Sequence, residues 1–307
     1  MAKDLIVLTA PPASGKTYWM ESFTQELDHP LLFISPLRAL AEECKLRSKK
    51  NDLIMTPEEW LKKRPQVQVV VIDEFHLFFY WGDSFRHQMW EAFYELVSEV
   101  DLVILLTATL SSEMKNEISL FESQFKTIWW IDQGNQKLKY HPQKYYKIPS
   151  LSFMEDLIFS SPPNGRNPSL IFCRYRREVY EWERKLNSCG YHVLSCVGGG
   201  AKEFSEKLRQ YPDPDFIIAT SVLSHGVNLP SLGKIFFTYQ VKDLNFWIQM
   251  VARGGRKGDF YEVYSLERPF GLKWNIFFNF LAIQKLSLKI KWFKLYKQIE
   301  EWFLKVL

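Results

Sequence analysis

Three clusters in this 307-residue chain have the residue types and spacing for phosphate chemistry. The first is Ala10-Pro-Pro-Ala-Ser-Gly-Lys-Thr17. A turn of this kind between a strand and a helix aims the backbone N–H groups of Ala13, Ser14 and Gly15 at phosphate oxygens. Lys16 then reaches the terminal phosphates, and the Thr17 hydroxyl ligates magnesium. The second is Asp73-Glu74-Phe75-His76, directly after the apolar run Val-Gln-Val-Val-Val-Ile72. Asp73 is suited to hold magnesium, and Glu74 to orient and deprotonate an attacking water. The third is Gln249-Met-Val-Ala-Arg-Gly-Gly-Arg-Lys-Gly258. Arg253 and Arg256 stand three residues apart, nearly one helical turn, so both guanidiniums can face one way. Two such cations compensate the charge that spreads over phosphoryl oxygens during transfer.

These groups need a scaffold that brings distant stretches together. Leu5–Leu8 reads as a buried strand before the first cluster, and a helix is expected to start near Lys16. Leu31–Ile34, Val67–Ile72 and Leu102–Leu106 read as further strands, with helices over 36–45 and 84–98. Strands alternating with helices predict a parallel sheet covered on both faces. The pattern breaks at 132–150, which is polar and basic. It resumes with strands at Ser169–Cys173, Tyr191–Cys196, Phe216–Ala219 and Lys234–Tyr239, and a helix over 175–188. The expected fold class is therefore α/β, with domains at 1–150 and 151–265 and a tail at 266–307. The tail carries aromatics such as Trp274, Trp292, Phe293 and Trp302, and reads as a helix from about 282. It is expected to pack its aromatic stripe and turn Lys285, Lys289 and Lys297 outward.

The net charge of +4 suits a polyanionic partner without demanding one. It is concentrated in the tail, whose eight Lys or Arg against three Glu leave the rest close to neutral. Cys44, Cys173, Cys189 and Cys196 form no C-x-x-C pair, so they read as reduced core thiols of a cytoplasmic (nucleoid or nuclear) protein. The apolar run at the N-terminus is too short for a signal peptide or membrane span, and no membrane partner is expected.

Taken in order, these segments resemble the motifs of superfamily 2 helicases. Motif I is Ala10–Thr17, and motif Ia resembles Ser35-Pro-Leu-Arg-Ala-Leu-Ala-Glu-Glu43. Motif Ib resembles Met55-Thr-Pro-Glu-Glu-Trp60, and motif II is Asp73–His76. Motif III is Thr107-Ala-Thr109, and motif IV resembles Leu170–Arg177. Motif V is Thr220-Ser-Val-Leu-Ser-His-Gly-Val-Asn-Leu-Pro230, and motif VI is Gln249–Gly258. The details PLRALA, TS-x-L-x-x-GVNLP and QM-x-x-R-x-GR are similar to the Ski-like branch, which includes archaeal DNA-repair helicases. Three alanines depart from family patterns: Ala10, Ala13 and Ala252 stand where Gly is common.

The resemblance implies two tandem RecA-like domains that hydrolyse Mg-ATP between them. It implies 3′-to-5′ movement on single-stranded nucleic acid, with DNA favoured over RNA. Ser35, Arg38, Thr56, Arg174, Thr220 and Ser221 become candidate contacts to the strand's backbone. Gly226 and Gln249 turn to the nucleotide, while His76, Thr107 and Thr109 couple the two sites. Motif I begins nine residues into the chain, and only residues 259–307 follow motif VI. The stretch Ser231–Ile248 is short for a strand-separating hairpin. The expectation is a minimal motor without the usual accessory domains. An RNA remodeller and a non-unwinding nucleic-acid clamp are the competing readings. The set of Lys16, Asp73, Glu74, Arg253 and Arg256 argues against a clamp with a dead site.

Overall fold

The computed structural model describes residues 3–16, 30–47, 53–160, 167–224, 227–256 and 258–266. The chain divides into two compact units. Along the main run the division falls between Lys139 and Tyr140, and the helix Leu244–Val251 groups with the first unit.

Each unit is a RecA-like α/β domain built on a six-stranded, wholly parallel sheet. The first sheet consists of β1 (Asp4–Thr9), β2 (Leu31–Ile34), β3 (Leu53–Met55), β4 (Val69–Ile72), β5 (Leu102–Thr107) and β6 (Thr127–Asp132), in the order β3-β2-β4-β5-β1-β6. Its central strands are buried on both faces, as a parallel sheet flanked by helices requires. Successive side chains alternate between two cores. Leu5, Val7, Ile34, Val70, Ile72, Val103 and Leu105 join one cluster. Leu8, Leu31, Phe33, Val71, Ile104 and Leu106 join the other, with Ala41 and Cys44 of the helix Arg38–Arg47.

The helices owe their limits to local chemistry. Thr56 caps Pro57–Lys63 in a reciprocal box with Glu59, Pro57 sits in its first turn, and Arg64 ends it at φ 43°. Gln88–Glu99 buries Met89, Ala92, Phe93, Leu96 and Val97, a stripe at helical spacing. Phe93 packs against Phe75, ring centroids 5.1 Å apart. The second motif is thereby anchored in the core through its own aromatic residue.

The second sheet contains β7 (Lys144–Ile148), β8 (Ser169–Phe172), β9 (Val193–Cys196), β10 (Phe216–Ala219), β11 (Lys234–Phe237) and β12 (Glu262–Leu266), in the order β7-β12-β11-β8-β10-β9. Ile171, Phe216, Ile218, Phe236 and Tyr264 pack against Met154, Leu157, Ile158, Val179, Trp182 and Leu186 of the covering helices. The strand at Lys144–Ile148 lies inside the stretch that reads as a polar break, and it pairs in register with β12.

All four cysteines are free thiols. Cys44, Cys173 and Cys196 are buried, and burial pushes Cys173 and Cys196 up to about 12. Cys189 is a correction: it sits exposed at the end of the helix Arg176–Ser188 and is not a core residue. No helix among the described residues is long and apolar enough to cross a membrane. Residues 267–307, with the expected aromatic helix and its lysines, lie outside the described residues.

Candidate active site

Strand order places the chemistry. In the first sheet β5 lies between β1 and β4. All three run parallel, so their carboxyl ends open on one edge. In such sheets ligands bind outside those ends, where the strand order reverses. Motif I leaves β1, motif II leaves β4 and motif III leaves β5. Backbone bonds continue the ladder past the strands: Ala10 N–H donates to the Thr107 carbonyl at 3.2 Å, Phe75 N–H to that of Leu106 at 3.0 Å, and Asp73 N–H to that of Ile34 at 2.9 Å.

The phosphate loop closes on itself. Lys16 Nζ donates to the carbonyls of Ala10 at 2.9 Å and Pro11 at 3.1 Å, and Ser14 N–H donates to the Pro11 carbonyl at 3.2 Å. Ala13 has φ 60° and Gly15 has φ 92°. The left-handed backbone at Ala13 accounts for the glycine common there: a Cβ costs about 1–2 kcal/mol in that conformation. Thr17 lies outside the described residues, so its metal role stays an expectation.

In motif II, Asp73 is buried and its Oδ1 accepts the Glu74 N–H at 2.8 Å. Glu74 has φ 48°, a strained value for a residue with a side chain. Strain of this kind is tolerated where the surroundings over-determine the backbone. Here Phe75 is fully buried and the amides on both sides are held by neighbouring strands.

His76 is buried, and its Nδ1 is 3.0 Å from Thr107 Oγ1. That hydroxyl donates to the Thr109 carbonyl at 3.1 Å and accepts the Thr109 N–H. With the hydroxyl proton on the Thr109 carbonyl, all three partners are satisfied when Nδ1 carries the ring hydrogen and donates to Thr107. Motifs II and III are joined by this bond. Burial, with the nearby Lys16 ammonium adding to it, pulls His76 down to about 3. Its 3.5 Å approach to Glu74 is thus a contact of a neutral ring and not an ion pair. A testable consequence is that the His76 ring should not titrate between pH 5 and 8, read by its imidazole proton shifts. The unfolded chain takes up the proton near 6.5. Folded stability is therefore lost as pH falls from about 6.5 toward 3. A midpoint near 6.5 in the folded protein would refute the buried neutral ring.

The loop after β6 was not legible as part of the site. Asp132 Oδ1 accepts Thr9 Oγ1–H at 3.0 Å and the N–H groups of Gly134 and Asn135 at 2.8 and 2.7 Å. The two amides hold the Asp132 carboxyl below its usual range, Asn135 first. Asn135 pairs with both the N–H and the carbonyl of Leu110 at 2.8 Å. Gln136 N–H donates to the Ala108 carbonyl at 3.1 Å, and Lys139 Nζ to that of Ala13 at 3.3 Å. The loop thus braces motifs I and III together. In sequence its only signal is an Asp-x-Gly-Asn turn pattern.

In the second unit Arg253 is buried and Arg256 half-buried, on a loop that turns through Gly254 and Gly255. Gln249 is buried on the helix Leu244–Val251, which Asp243 caps through the Phe246 N–H at 3.0 Å. Gly226 lies outside the described residues.

The candidate strand contacts separate into two kinds. Ser35 is fully buried, and its hydroxyl closes a turn with Leu37 at 3.2 Å. Thr56 is buried and spent on its capping box. Both hydroxyls have structural tasks. Arg38, Arg174 and Ser221 are exposed and Thr220 is half-buried. Arg174 lies over the exposed ring of Tyr175, 5.4 Å from its centroid.

The site's residues fit a magnesium nucleotide. Lys16 rests on neutral carbonyls that it can exchange for phosphate oxygens. The Ser14 hydroxyl is buried with no hydrogen-bond partner among the described residues. Asp73 presents a carboxylate at the end of a neighbouring strand, the oxygen chemistry magnesium selects.

Residues 45–117 match the DEAD/DEAH box helicase family, and residues 151–258 the helicase conserved C-terminal domain. Together they span more than half of the chain. The phosphate loop lies outside both, so its assignment stands on its own geometry. The pre-mRNA-splicing ATP-dependent RNA helicase prp28 of Schizosaccharomyces pombe is 22% identical over 94 residues, 30% of this chain and 14% of that protein. The chain thus spans a small part of this curated relative. The structure of S. cerevisiae Dbp5 bound to RNA and ADP BeF3 is similar with a TM-score of 0.68 at 15% identity, covering 91% of this chain and 82% of that one. The Mycobacterium smegmatis helicase Lhr bound to ssDNA and AMP-PNP gives 0.65 at 17%, covering 86% and 44%. At these identities the likeness is one of fold.

Proposed function

We propose, from the premise that this chain is a superfamily 2 helicase, that it hydrolyses Mg-ATP and couples turnover to a grip on single-stranded nucleic acid. The observation that carries the reading is the convergence of motifs I, II and III on the carboxyl ends of β1, β4 and β5.

Lys16 neutralises the terminal phosphates, and Asp73 holds magnesium with Thr17. Magnesium, when bound, supplies charge neutralisation at the phosphoryl oxygens. Glu74 takes a proton from the attacking water. Arg253 and Arg256 compensate the charge on the transferring group. The His76–Thr107 bond gives the nucleotide side a direct link to motif III, the expected coupling element.

Arg38, Arg174, Thr220 and Ser221 are the side chains offered to the strand, and contacts of this type bind backbone without reading sequence. Likeness to the Ski-like branch supports 3′-to-5′ movement on DNA, and the ssDNA-bound Lhr supports a DNA substrate. The RNA helicase prp28 and RNA-bound Dbp5 favour RNA at least as strongly. Phosphate release measured without nucleic acid, with single-stranded RNA and with single-stranded DNA decides both points. Turnover stimulated by one strand type is the expected result, and it names the substrate. No turnover under any of the three conditions would sink the proposal.

A further inference from the structure

The loop that carries the two arginines is shaped by a side chain outside the motif. Tyr261 is 1% exposed, and its ring lies against the backbone of Gly254 and Gly255. A Cβ built on Gly254 would overlap Tyr261 Cδ2 and come within 2.7 Å of Cγ, and one built on Gly255 would stand 2.8 Å from Cε1. Gly255 has φ 64°, which by itself favours glycine. Gly254 is not among the residues with positive φ, so its backbone does not require glycine. The three atoms nearest to such a Cβ are all carbons of the Tyr261 ring.

The ring is pinned at both ends. Its hydroxyl donates to the Tyr140 carbonyl at 2.8 Å, and the Tyr261 carbonyl accepts the Gln143 N–H at 2.8 Å. Burial holds the phenol above its ordinary range, so it remains a donor. The rest of the loop is tied down as well. Gly258 N–H donates to the Gly255 carbonyl at 2.8 Å, and the Ser231 hydroxyl donates to the Asp259 carboxylate.

We propose that Tyr261 is a positioning residue for the arginine pair: Gly254 and Gly255 lie flat on its ring, which fixes the directions in which Arg253 and Arg256 leave the backbone. The proposal rests on the reading of those arginines as compensating charges and deepens it. Sub-ångström placement is what such charges need, since a shift of about 1 Å in a catalytic group costs on the order of 10²-fold.

The test uses the full chain and steady-state ATP turnover, with thermal melts to confirm folding. Tyr261→Leu keeps the space largely filled but removes the flat ring. It is expected to lower kcat by about 10²-fold with an unchanged KM for ATP. Tyr261→Phe keeps the ring and is expected to stay within about fivefold of the parent, the equivalent of one ordinary hydrogen bond. Gly254→Ala should impair the parent, yet add nothing in a Tyr261→Ala chain, where the ring it strikes is gone. In a background where Arg253 and Arg256 are both Ala, Tyr261→Leu should cost little more, because it acts through the arginines. Parent-like kcat in Tyr261→Leu, or a further loss of similar size in that arginine-free background, would overturn the positioning role. If Arg253→Ala and Arg256→Ala both turn over normally, the arginine reading itself fails, a result separable from the first.

Discussion

Replacing Glu74 with Gln should leave the chain folded and able to bind ATP while turnover falls by about 10²–10⁴-fold. The substitution keeps shape and length and removes only the ability to accept a proton. The backbone there is already determined: φ is 48°, and the Glu74 N–H is engaged by Asp73 Oδ1 at 2.8 Å. The amide therefore has no reason to move the loop. The neighbouring His76 is neutral and buried, so loss of the carboxylate does not strip that ring of a charge partner. Nucleotide affinity is read with a fluorescent ATP analogue, and turnover by phosphate release. A rate within a few-fold of the parent would remove Glu74 from the role of base and leave it as a strained turn residue.

Arg256→Lys should be nearly as damaging as removal of the side chain, with turnover down by at least about 10³-fold. Lysine keeps the charge but loses the planar fork of donors that spans two phosphoryl oxygens. Affinity for ATP should change far less, since the charge matters most as the phosphoryl group transfers. The measurement is kcat and KM for ATP at saturating single-stranded nucleic acid. If Lys at this position supports the parent rate, a point charge suffices and the fork has no part in the chemistry.

How far each prediction was visible in advance follows from where its residues act. Glu74 and the arginines announce themselves because phosphate chemistry demands particular groups in a particular order along the chain. The central strands were equally legible. Leu31–Ile34 and Phe216–Ala219 are short, wholly apolar runs, and the structure has strands over the same residues. The edge strands β6 and β7 were not. Thr127–Asp132 and Lys144–Ile148 have exposed side chains at Trp129, Trp130 and Tyr145. A strand with a solvated face need not show the apolar pattern that marks a buried one. Lys144–Ile148 therefore reads as linker until its register with β12 is seen.

The side chains that fasten the site were the least visible. The sequence by itself determined which groups do the chemistry: Lys16, Asp73, Glu74, Arg253 and Arg256 are dictated by charge, donor geometry and the need for a base, and these are properties of single residues. It also determined that two α/β units carry them, because alternating apolar runs permit little else. Only the tertiary structure decided what holds those groups in place. Ser35 and Thr56, offered by the motifs as strand contacts, are instead consumed by a turn and a helix cap. Asp132 and Asn135, which no motif contains, fasten Thr9 and Leu110, the residues that flank motifs I and III. Tyr261 shapes the arginine loop from outside it. The physical reason is that a supporting contact needs only a donor, an acceptor or a flat surface of the right reach. Many residues at many separations supply one, so nothing in the order of the chain marks which pair will meet.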